Sequence, residues 1–456
     1  MMITPPQSLT KTLFYHGKKK QNWIFERGEL TSELHLIPIA NVIALKYTEE
    51  KPNKFKLYYA KRKKEKRNEW KLKSLSFQCN NTNDVVLWAK TVQDQLSQRK
   101  RPRKLLLFVN PFGGKGNGLK IYEKEAKPLF QIAQVDVNVV ITQRKNQIRD
   151  IVVDHNFENI DAVSCIGGDG TSSELLNGLI LRECQLRNVN PDKRSVKLLQ
   201  PKITVGLIPG GSTDATVYGV HGTTDVTTAV LHIIMGISMG YDLATVHNEN
   251  ELLQLYSNIA SYGFFSDIIY HSEHLRWMGP SRYEYTGFKK ILKNQGYKGT
   301  LSMLCDDLGE INSRCYENCK KCNETNNDKK NNWVTISGKF FLLAAANIPC
   351  GSNRNPNGLA PYCHLGDGYL NILVVHHTTF YRSLKTLHRF TQSAYSINDL
   401  PHVKVYRCKE FHFRADGIPG QWNFDGEVLL QPDIYAKVHR KLINVYGRGV
   451  YPATNL

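Results

Sequence analysis

The sequence lacks the apolar runs that carry a chain into or across a membrane. Its longest apolar stretch, around Phe340–Ala346, is far shorter than the ~18–20 residues that span a bilayer. The amino-terminal residues form no apolar signal-peptide core, and Met2 stands where N-myristoylation requires a glycine. Cysteine is scarce as well, since ten residues in 456 are too few for a disulfide scaffold. These absences predict a cytoplasmic protein that meets membranes only peripherally.

Acidic residues are also in short supply. The chain has 41 Asp and Glu against 60 Lys and Arg, which gives a net charge of +19. Such an excess predicts an anionic partner, which is a nucleic acid, a phospholipid surface or a phosphorylated substrate. The sequence contains no zinc-finger spacing and no RNP-like aromatic motif, so we expect no nucleic-acid binding.

The positive charge is concentrated at the amino terminus. Residues 1–104 hold 23 Lys and Arg against 9 Asp and Glu, a net charge of +14, which leaves +5 for the rest of the chain. Lys18–Lys20 and Lys61–Arg67 are the two densest basic runs. Each clustered basic residue gains about 1 kcal/mol near anionic lipid. We therefore expect this region to bind an anionic phospholipid membrane surface, with a solvated loop or a nuclear-import patch as the alternatives.

Residues 1–98 have the pattern of a small β-rich domain. Short β-rich runs precede one amphipathic helix at Asn83–Gln98, which carries Trp88 on its apolar face. This arrangement resembles a pleckstrin-homology domain, with an unrelated small β-domain as the alternative. Residues 99–104, with Pro102, form a basic linker. The β-rich runs are Asn22–Phe25, Leu34–Pro38, Val42–Tyr47, Lys54–Ala60 and Trp70–Phe77.

Residues 105–240 have the pattern of an α/β lobe. Apolar strands alternate with amphipathic helices, and three strands run into glycine-rich turns, as in a doubly wound sheet that binds phosphates at its strand ends. Residues 241–456 are richer in strands, so we expect a mostly β second lobe with a cysteine-containing insertion at 305–333. The predicted strands of the first lobe are 104–110, 135–141, 162–166 and 203–208, and the predicted helices are 119–132, 143–154 and one from Ser172.

The three glycine-rich turns carry the chemistry. They are Asn110–Gly118 (NPFGGKGNG), Gly167–Thr171 (GGDGT) and Pro209–Asp214 (PGGSTD). Glycines let backbone N–H groups approach phosphate oxygens, and the following helix N-terminus adds a favourable field. A carboxylate at Asp169 suits Mg²⁺ binding or acceptance of a hydroxyl proton during phosphoryl transfer. Each turn alone is a weak signal, because structural turns and helix caps use the same residues.

Taken together, these motifs resemble the lipid-kinase superfamily of diacylglycerol and sphingosine kinases. Glu174 and Asn177-Gly178, after GGDGT, and the segment Thr142–Asn146 (TQRKN) belong to the same pattern. Within that superfamily, residues 104 to 449 are most similar to the ceramide kinase family. The stretches that indicate this family are Tyr262–Asp267 (YGFFSD) with the following SEHLRWMGPSRYEYTG, Cys315, Cys319 and Cys322 in C-x₃-C-x₂-C, His364–Gly368 (HLGDG) and Trp422–Leu429 (WNFDGEVL).

The resemblance implies a two-lobed lipid kinase that uses ATP and Mg²⁺ to phosphorylate the primary hydroxyl of ceramide, giving ceramide 1-phosphate at the Golgi or plasma membrane. It implies contacts with the lipid at Gly167, Gly168, Asp169, Gly170 and Asp267. The residues that it implies for ATP binding are Asn110, Pro111, Phe112, Gly113, Gly114, Gly116, Thr142, Arg144, Asn146, Glu174, Gly211, Ser212, Thr213, Asp425, Gly426 and Glu427.

Two residues compete for the role of general base. Asp169 matches the catalytic aspartate of the GGDG motif, and it is favoured over Glu427, which matches the DGE glutamate of related bacterial lipid kinases. Ile269 stands where sphingosine kinases carry a second acidic residue, which argues against a free amine as substrate. The alternatives are a kinase for diacylglycerol or sphingosine, and a catalytically silent ceramide-kinase-like lipid-binding protein. The intact GGDG and DGE motifs weigh against a silent protein.

The cysteine motif suits a zinc ion. Three thiolates within eight residues can share one Zn²⁺, but a structural zinc site has four ligands, so the fourth has to come from elsewhere. Free thiols in an exposed loop are the alternative. The candidates for the fourth ligand are Cys305, Cys350, Cys363 and the histidines.

Two further features allow two interpretations each. Thr379–Ile397 has a basic amphipathic pattern that suits calmodulin or membrane binding, although such a stripe more often packs on the core. Asp367, in LGDG, suits a metal-binding carboxylate or a tight turn, and the turn is favoured.

Overall fold

The computed structural model describes residues 9–16, 19–114, 116–279, 281–306, 313–324, 331–352, 355–390 and 400–452. Several predicted features lie outside the described residues, namely Lys18, Lys115, positions 391–397 of the amphipathic segment and residues 307–312 and 325–330 of the insertion. The described chain forms an antiparallel sheet domain followed by an α/β lobe and a mostly β lobe, which confirms the predicted fold class.

The amino-terminal domain is an antiparallel sheet closed by one helix. It comprises β1 (Leu9–His16), β2 (Lys19–Glu26), β3 (Glu29–Thr31), β4 (Leu36–Pro38), β5 (Val42–Tyr47), β6 (Lys54–Arg62), β7 (Trp70–Gln78) and α1 (Thr82–Ser97), with a 3₁₀ turn at Ile39–Asn41. The seven strands lie in the order β4-β3-β2-β1-β7-β6-β5. Trp88 of α1 is buried as predicted, and its indole N–H donates to Thr12 Oγ1 at 2.9 Å.

The α/β lobe, which follows the amino-terminal domain, contains the predicted parallel sheet. Its elements are β8 (Lys104–Val109), α2 (Gly118–Ile121), a π-helical turn (Tyr122–Ala126), α3 (Lys127–Ile132), β9 (Asp136–Ile141), α4 (Gln147–Asp154), β10 (Ala162–Gly167), α5 (Asp169–Leu186), β11 (Thr204–Pro209), α6 (Ala215–His221) and α7 (Val226–Met235). The strands pair in parallel in the order β9-β8-β10-β11. Their carboxyl ends therefore bring the three glycine turns to one edge of the sheet.

The third part of the chain is mostly strand. Its elements are β12 (Ser238–His247), β13 (Leu252–Tyr256), β14 (Ile259–Gly263), α8 (Phe264–Ser272), a 3₁₀ segment (Glu273–Met278), α9 (Ser281–Lys293), β15 (Tyr297–Asp306), α10 (Lys320–Asn323), β16 (Asn331–Ala346), β17 (Leu370–His376), α11 (Phe380–Phe390), β18 (Val403–Ala415), β19 (Trp422–Phe424), β20 (Glu427–Leu429) and β21 (Ile434–Tyr446). Aromatic side chains that include Tyr262, Phe413 and Trp422 fill its core.

One strand joins the two lobes. β21 pairs in parallel with β11, where Asn444 lies opposite Thr204, and antiparallel with β12 and β18. The parallel and antiparallel strands consequently belong to one 14-stranded sheet. Backbone hydrogen bonds along β21 therefore fix the position of the β lobe relative to the glycine turns.

The amino-terminal domain packs directly on the α/β lobe and on residues from the later part of the chain. Trp70 is buried, and its amide donates to Thr228 Oγ1 of α7 at 2.8 Å. The Arg62 guanidinium stacks on Trp70 and on Tyr451, 5.1 and 4.4 Å from the ring centroids, and also donates to the Tyr316 hydroxyl. One residue of the predicted membrane-binding run therefore lies inside an interface between domains.

The basic stretch 99–104 is bonded to both sides of that interface. Arg99 donates to the carbonyls of Ile39 at 3.1 Å and Met235 at 2.8 Å, and Arg101 donates to the carbonyl of Ile43 at 2.8 Å. Guanidinium groups with several donors suit such carbonyl clusters. This stretch thus connects β5 with the end of α7.

The predicted amphipathic segment forms α11 over Phe380–Phe390. Phe380, Leu387 and Phe390 pack against the core that surrounds Phe264, while Leu384 is exposed. The described part of this segment is thus mainly a packing helix. Among the described residues, no helix combines the length and the apolar character needed to cross a bilayer.

Candidate active site

The three glycine turns meet because their glycines leave room for backbone contact. A Cβ on Gly211 would lie 2.5 Å from Gly168 Cα, and one on Gly114 would lie 2.7 Å from the Gly210 carbonyl oxygen. Gly114 also has a φ of +59°, which disfavours side chains at that position. The sequence pattern therefore produces a surface made of backbone at the carboxyl end of the sheet.

Asn110 organises the first turn. Its Oδ1 accepts hydrogen bonds from the amides of Phe112 at 2.9 Å and Gly113 at 3.1 Å, and its Nδ2 donates to Thr171 Oγ1 at 2.9 Å. The side chain thus ties the first turn to the helix after GGDGT. Phe112 is exposed, and Pro111, Gly113 and Gly116 continue the turn around this amide.

Asp169 lies where GGDG enters α5. Its carboxylate accepts hydrogen bonds from the amides of Ala215 at 3.2 Å and Thr216 at 2.8 Å, and from Thr216 Oγ1 at 2.8 Å. These donors belong to the start of α6, so Asp169 connects the second and third turns. Gly167, Gly168 and Gly170 surround it, and no atom within 4 Å would contact a Cβ on Gly170.

Asp214 is a second carboxylate at this edge that sequence reasoning did not select. It is 6% exposed, and its Oδ1 accepts the Gly211 amide at 2.9 Å. Burial and the charge of Asp169 raise the pKa of Asp214 to about 7. Ser212 and Thr213, which were selected, are exposed in the same turn. The signal for Asp214 was its place at the end of PGGSTD, but its burial depends on the approach of Gly211 to Gly168.

The segment Thr142–Asn146 borders the turns from the neighbouring strand. Thr142 is buried, and its amide donates to the Val109 carbonyl at 2.9 Å. Arg144 forms an ion pair with Asp150 at 2.7 Å. Burial raises the pKa of Glu174 on α5, and the nearby backbone amides of Asn146 and Ile148 counteract part of that rise. The Glu174 carboxylate thus lies beside this segment.

The DGE turn between β19 and β20 approaches from the β lobe. Asp425 accepts hydrogen bonds from the amides of Ser257, Asn258 and Ile259 at 2.6 to 3.0 Å and from Ser257 Oγ at 3.0 Å. Burial raises the pKa of Asp425 to about 6. Its carboxylate therefore serves to hold the turn in place.

The rest of the DGE turn extends towards the α/β lobe. Gly426 has a φ of +96°, which suits a tight turn of glycine. Glu427, about half exposed, forms an ion pair with Lys145 at 2.6 Å. This pair brings the DGE turn to the TQRKN segment.

Thr216 and Asn258 connect the two lobes, and neither was selected from the sequence. Thr216 Oγ1 lies 2.8 Å from Asp169 Oδ1 and 2.7 Å from Asn258 Oδ1. The backbone amide of Asn258 in turn donates to the Asp425 carboxylate at 2.9 Å. Polar contacts thus run from the GGDG carboxylate to the DGE carboxylate. Their partners are distant in the sequence, so no local pattern could have identified them.

Asp267 lies apart from these turns, on α8. It is buried, accepts a hydrogen bond from the Tyr297 hydroxyl at 2.7 Å and lies 3.8 Å from Lys290 Nζ. Burial raises the pKa of Asp267, and the Tyr297 bond and Lys290 counteract that rise. Ile269, two positions later, is partly buried and apolar.

The three clustered cysteines meet a histidine. The ligand atoms of Cys315, Cys319, Cys322 and His364 all lie within 4.8 Å of one another. Cys315 Sγ is 3.6 Å from Cys322 Sγ, and His364 Nδ1 is 3.1 Å from Cys319 Sγ and 3.9 Å from Cys322 Sγ. His364, from the HLGDG motif, thus stands where a fourth ligand was required.

Asp367 of the same motif has other partners. Its Oδ2 accepts a hydrogen bond from Arg407 at 2.8 Å, and its Oδ1 accepts one from the Tyr369 amide at 3.1 Å. Arg407 also bonds Asp306 at 2.6 Å. Asp367 is therefore part of a buried ion pair and a turn.

The chain is similar to lipid kinases in both halves. The family model for the diacylglycerol kinase catalytic domain matches residues 104–246, and that for the ceramide kinase C-terminal domain matches residues 258–421. Ceramide kinase of Mus musculus is 33% identical, with 88% of this chain and 85% of that protein covered. Ceramide kinase of Homo sapiens is 31% identical, with 91% and 89% covered.

The fold is also found among solved structures. A putative diacylglycerol kinase from Bacillus anthracis str. Sterne superposes with a TM-score of 0.55 at 17% identity, covering 77% of this chain and 97% of that one. At this level of identity the match shows the shared lipid-kinase fold, in agreement with the prediction.

The raised pKa of Asp214 predicts a pH-dependent stability. Between about pH 4 and pH 7 the folded protein keeps a proton on Asp214 that the unfolded chain releases. The stability that this proton provides is therefore fully present below about pH 4 and is lost progressively up to about pH 7. Asp214→Asn keeps an acceptor for the Gly211 amide without the charge. We measure the free energies of unfolding of both proteins by urea titration. The difference, variant minus unsubstituted protein, should increase from about pH 5 to about pH 8. A difference that stays constant with pH would contradict this.

Proposed function

Because this chain belongs to the ceramide kinase family, we propose that it transfers the γ-phosphoryl group of ATP to the primary hydroxyl of ceramide. The observation that carries the proposal is the meeting of three glycine turns around Asp169, with polar contacts that continue to the DGE turn. Phosphoryl transfer depends mainly on positioning and on stabilisation of charge, and this arrangement provides for both.

We assign the phosphates of ATP to the surface where the glycine turns meet. Gly113, Gly114 and Gly211 let the backbone approach the phosphate oxygens, and α5 contributes the field of an 18-residue helix at its N-terminus. The exposed hydroxyls of Ser212 and Thr213 supply further donors. In this assignment Asn110, Thr142, Arg144, Asn146 and Glu174 position the turns, and the DGE turn closes the nucleotide site.

Mg²⁺ fits the donor set at this edge. Asp169 and Asp214 are neighbouring carboxylates, and the charge repulsion that helps to raise the pKa of Asp214 would be relieved by a divalent cation. When bound, Mg²⁺ neutralises charge on the β- and γ-phosphates.

We propose Asp169 as the general base, ahead of Glu427. The hydrogen bonds from Ala215 and Thr216 fix the orientation of its carboxylate. From that position it accepts the proton of the ceramide hydroxyl as the oxygen attacks the γ-phosphorus. The new oxygen–phosphorus bond forms while the bond to the bridging oxygen of ADP breaks. Glu427, held by Lys145, stays on the nucleotide side in this proposal.

We place the polar head of ceramide near Asp267. The Tyr297 hydroxyl and Lys290 orient this buried carboxylate, which retains acceptor capacity for a hydroxyl or amide of the substrate. Ile269 stands in place of the second acidic residue of sphingosine kinases, so this part of α8 carries one carboxylate, that of Asp267. A neutral lipid head group fits this environment better than a charged amine.

We further propose a structural Zn²⁺ bound by Cys315, Cys319, Cys322 and His364. Zinc–sulfur bonds of about 2.3 Å and zinc–nitrogen bonds of about 2.0 Å place tetrahedral ligands ~3.5–3.8 Å apart. The observed separations of 3.1 to 3.9 Å lie around these values. The Cys315 carbonyl accepts the Val450 amide at 2.9 Å, so a metal here would hold the insertion against the end of the chain that follows β21.

We propose that the amino-terminal domain recruits the enzyme to the cytoplasmic face of anionic membranes. In the basic run, Arg62 is engaged in the domain interface and Lys63 pairs with Glu69, but Lys61 and Lys64 are exposed. These two lysines and the net charge of this domain support attraction to phospholipid headgroups. Calmodulin binding by residues 379–397 rests on the amphipathic pattern alone.

Asp169→Asn should abolish phosphorylation, because it removes the proton acceptor while keeping the size of the side chain. We expect turnover to fall by about 10³-fold or more, with binding of metal-free ATP retained. Radiolabelled ATP with ceramide, diacylglycerol and sphingosine in parallel micelles measures both activity and substrate choice. Asp94→Asn, at an exposed site on α1, is the matched control. Near-normal turnover of Asp169→Asn would refute the base, and labelling of diacylglycerol or sphingosine instead of ceramide would refute the substrate.

Cys319→Ser should remove the zinc ion and lower the thermal midpoint of unfolding, because three ligands hold a structural zinc less tightly than four. Elemental analysis of purified protein should find one zinc per chain, retained in the control Cys79→Ser, whose thiol lies in the amino-terminal domain. Protein without zinc that keeps its midpoint in a zinc chelator would exclude the site.

Lys61→Glu with Lys64→Glu should weaken binding to vesicles of phosphatidylcholine and phosphatidylserine by about tenfold or more. The charge reversal of exposed Lys120 and Lys124, in the α/β lobe, is the control. Binding of the unsubstituted protein should also weaken as salt is added, since screening shortens the range of the attraction. Binding that is insensitive to salt would contradict electrostatic recruitment.

A further inference from the structure

Helix α9 exposes most of its large apolar side chains. Tyr283, Tyr285, Phe288 and Leu292 are exposed, and the last two keep 64% and 57% of their accessible surface. The inward side of α9 buries polar Lys290 and Thr286 together with Ile291. A helix of a globular protein ordinarily buries its apolar stripe and exposes its polar one. The reversed pattern indicates that the outer side of α9 meets an apolar environment.

Neighbouring segments extend this exposed surface. Trp277, in the 3₁₀ segment that packs against α9, is 82% exposed. Helix α11 also contacts α9 and exposes Tyr381 at 80% together with Leu384, while it buries Ser383 and Thr386. We call the set Trp277, Tyr283, Tyr285, Phe288, Leu292, Tyr381 and Leu384 the aromatic face.

The charges around the aromatic face are mainly positive. On α9 itself Lys289 and Lys293 are exposed, with Glu284 as the single acid on that side of the helix. On α11 the exposed polar residues include Arg382 and Lys385. Aromatic and basic side chains side by side suit the interface of an anionic bilayer, where aromatic rings lie at headgroup level and lysines reach the phosphates.

We propose that the aromatic face is a second membrane-docking surface, which inserts into the interface of anionic phospholipid bilayers independently of the amino-terminal domain. The purpose of such a surface is to bring the enzyme to ceramide in the bilayer, so this proposal rests on the proposed ceramide kinase function. Lys290, on the inner side of α9, lies 3.8 Å from Asp267. Docking through the outer side would therefore bring the proposed head-group site to the bilayer in which ceramide resides.

The test compares vesicle binding of the full-length protein with that of Phe288→Ala/Leu292→Ala. Flotation with vesicles of phosphatidylcholine and one-third phosphatidylserine is measured at about 1 M salt, where a Debye length of about 3 Å suppresses electrostatic recruitment. We expect the double variant to bind about tenfold more weakly or worse, because two apolar side chains no longer insert. Leu186→Ala, exposed at the end of α5 far from Asp169, is the matched control and should bind normally.

A second readout reports on insertion directly. Trp277 and Trp333 are the two strongly exposed tryptophans of the described chain. In a Trp333→Phe background, nitroxide-labelled lipids should quench Trp277 emission, and Trp277→Phe should remove this signal. Unchanged binding of the double variant, or no quenching of Trp277, would overturn the proposal. Self-association that the double variant abolishes, without vesicle binding, would instead identify a second copy of the chain as the occupant.

Activity assays separate this proposal from the ceramide kinase function. The double variant should retain turnover of a water-dispersed short-chain ceramide and lose activity on ceramide in vesicles, mainly through KM. If the unsubstituted protein phosphorylates no ceramide, the function fails while the flotation result still decides the docking surface.

Discussion

Strand β21 is the constraint on which the arrangement of both lobes depends, because it pairs with β11 on one side and with β12 and β18 further along. Pairing register along one strand determines which side chains face each side of the sheet. A β-bulge interrupts the pairing of β12 with β21 at Asp242. The buried carboxylate of Asp242 accepts hydrogen bonds from the backbone amides of Gly368 and Lys441, both at 2.6 Å. On this frame Asn258 comes to lie beside Thr216, and the DGE turn beside the TQRKN segment.

The carboxylates of the candidate site differ in their hydrogen-bond partners and burial, and these differences suit them to different roles. The Asp425 carboxylate accepts hydrogen bonds from three backbone amides and a hydroxyl, so its role is to hold the DGE turn in place. Asp169 is oriented by the start of α6 and shares its edge with Asp214, whose pKa burial and charge raise to about 7. Two neighbouring carboxylates with different environments are a common basis for acid–base and metal chemistry.

Local patterns predicted the parts of the fold that depend on local physics. The α/β lobe could be predicted because three of its four parallel strands run into glycine turns, and α1 because Trp88 marks its apolar face. Thr216 and Asn258 could not be identified, since their contacts are with residues at least 42 positions away, and no local pattern singled out His364 among the candidate zinc ligands. Charge counting also failed to separate Arg62, Arg99 and Arg101 from surface residues, because a net charge contains no information on burial.

The outward apolar side of α9 also affects how the protein behaves in water. Exposed aromatic surfaces on different molecules attract one another, so copies that are not on a membrane tend to aggregate. The net charge of +19 opposes this, because like-charged molecules repel at long range. The basic excess thus gives the free protein colloidal stability, and added salt that screens the repulsion lowers its solubility.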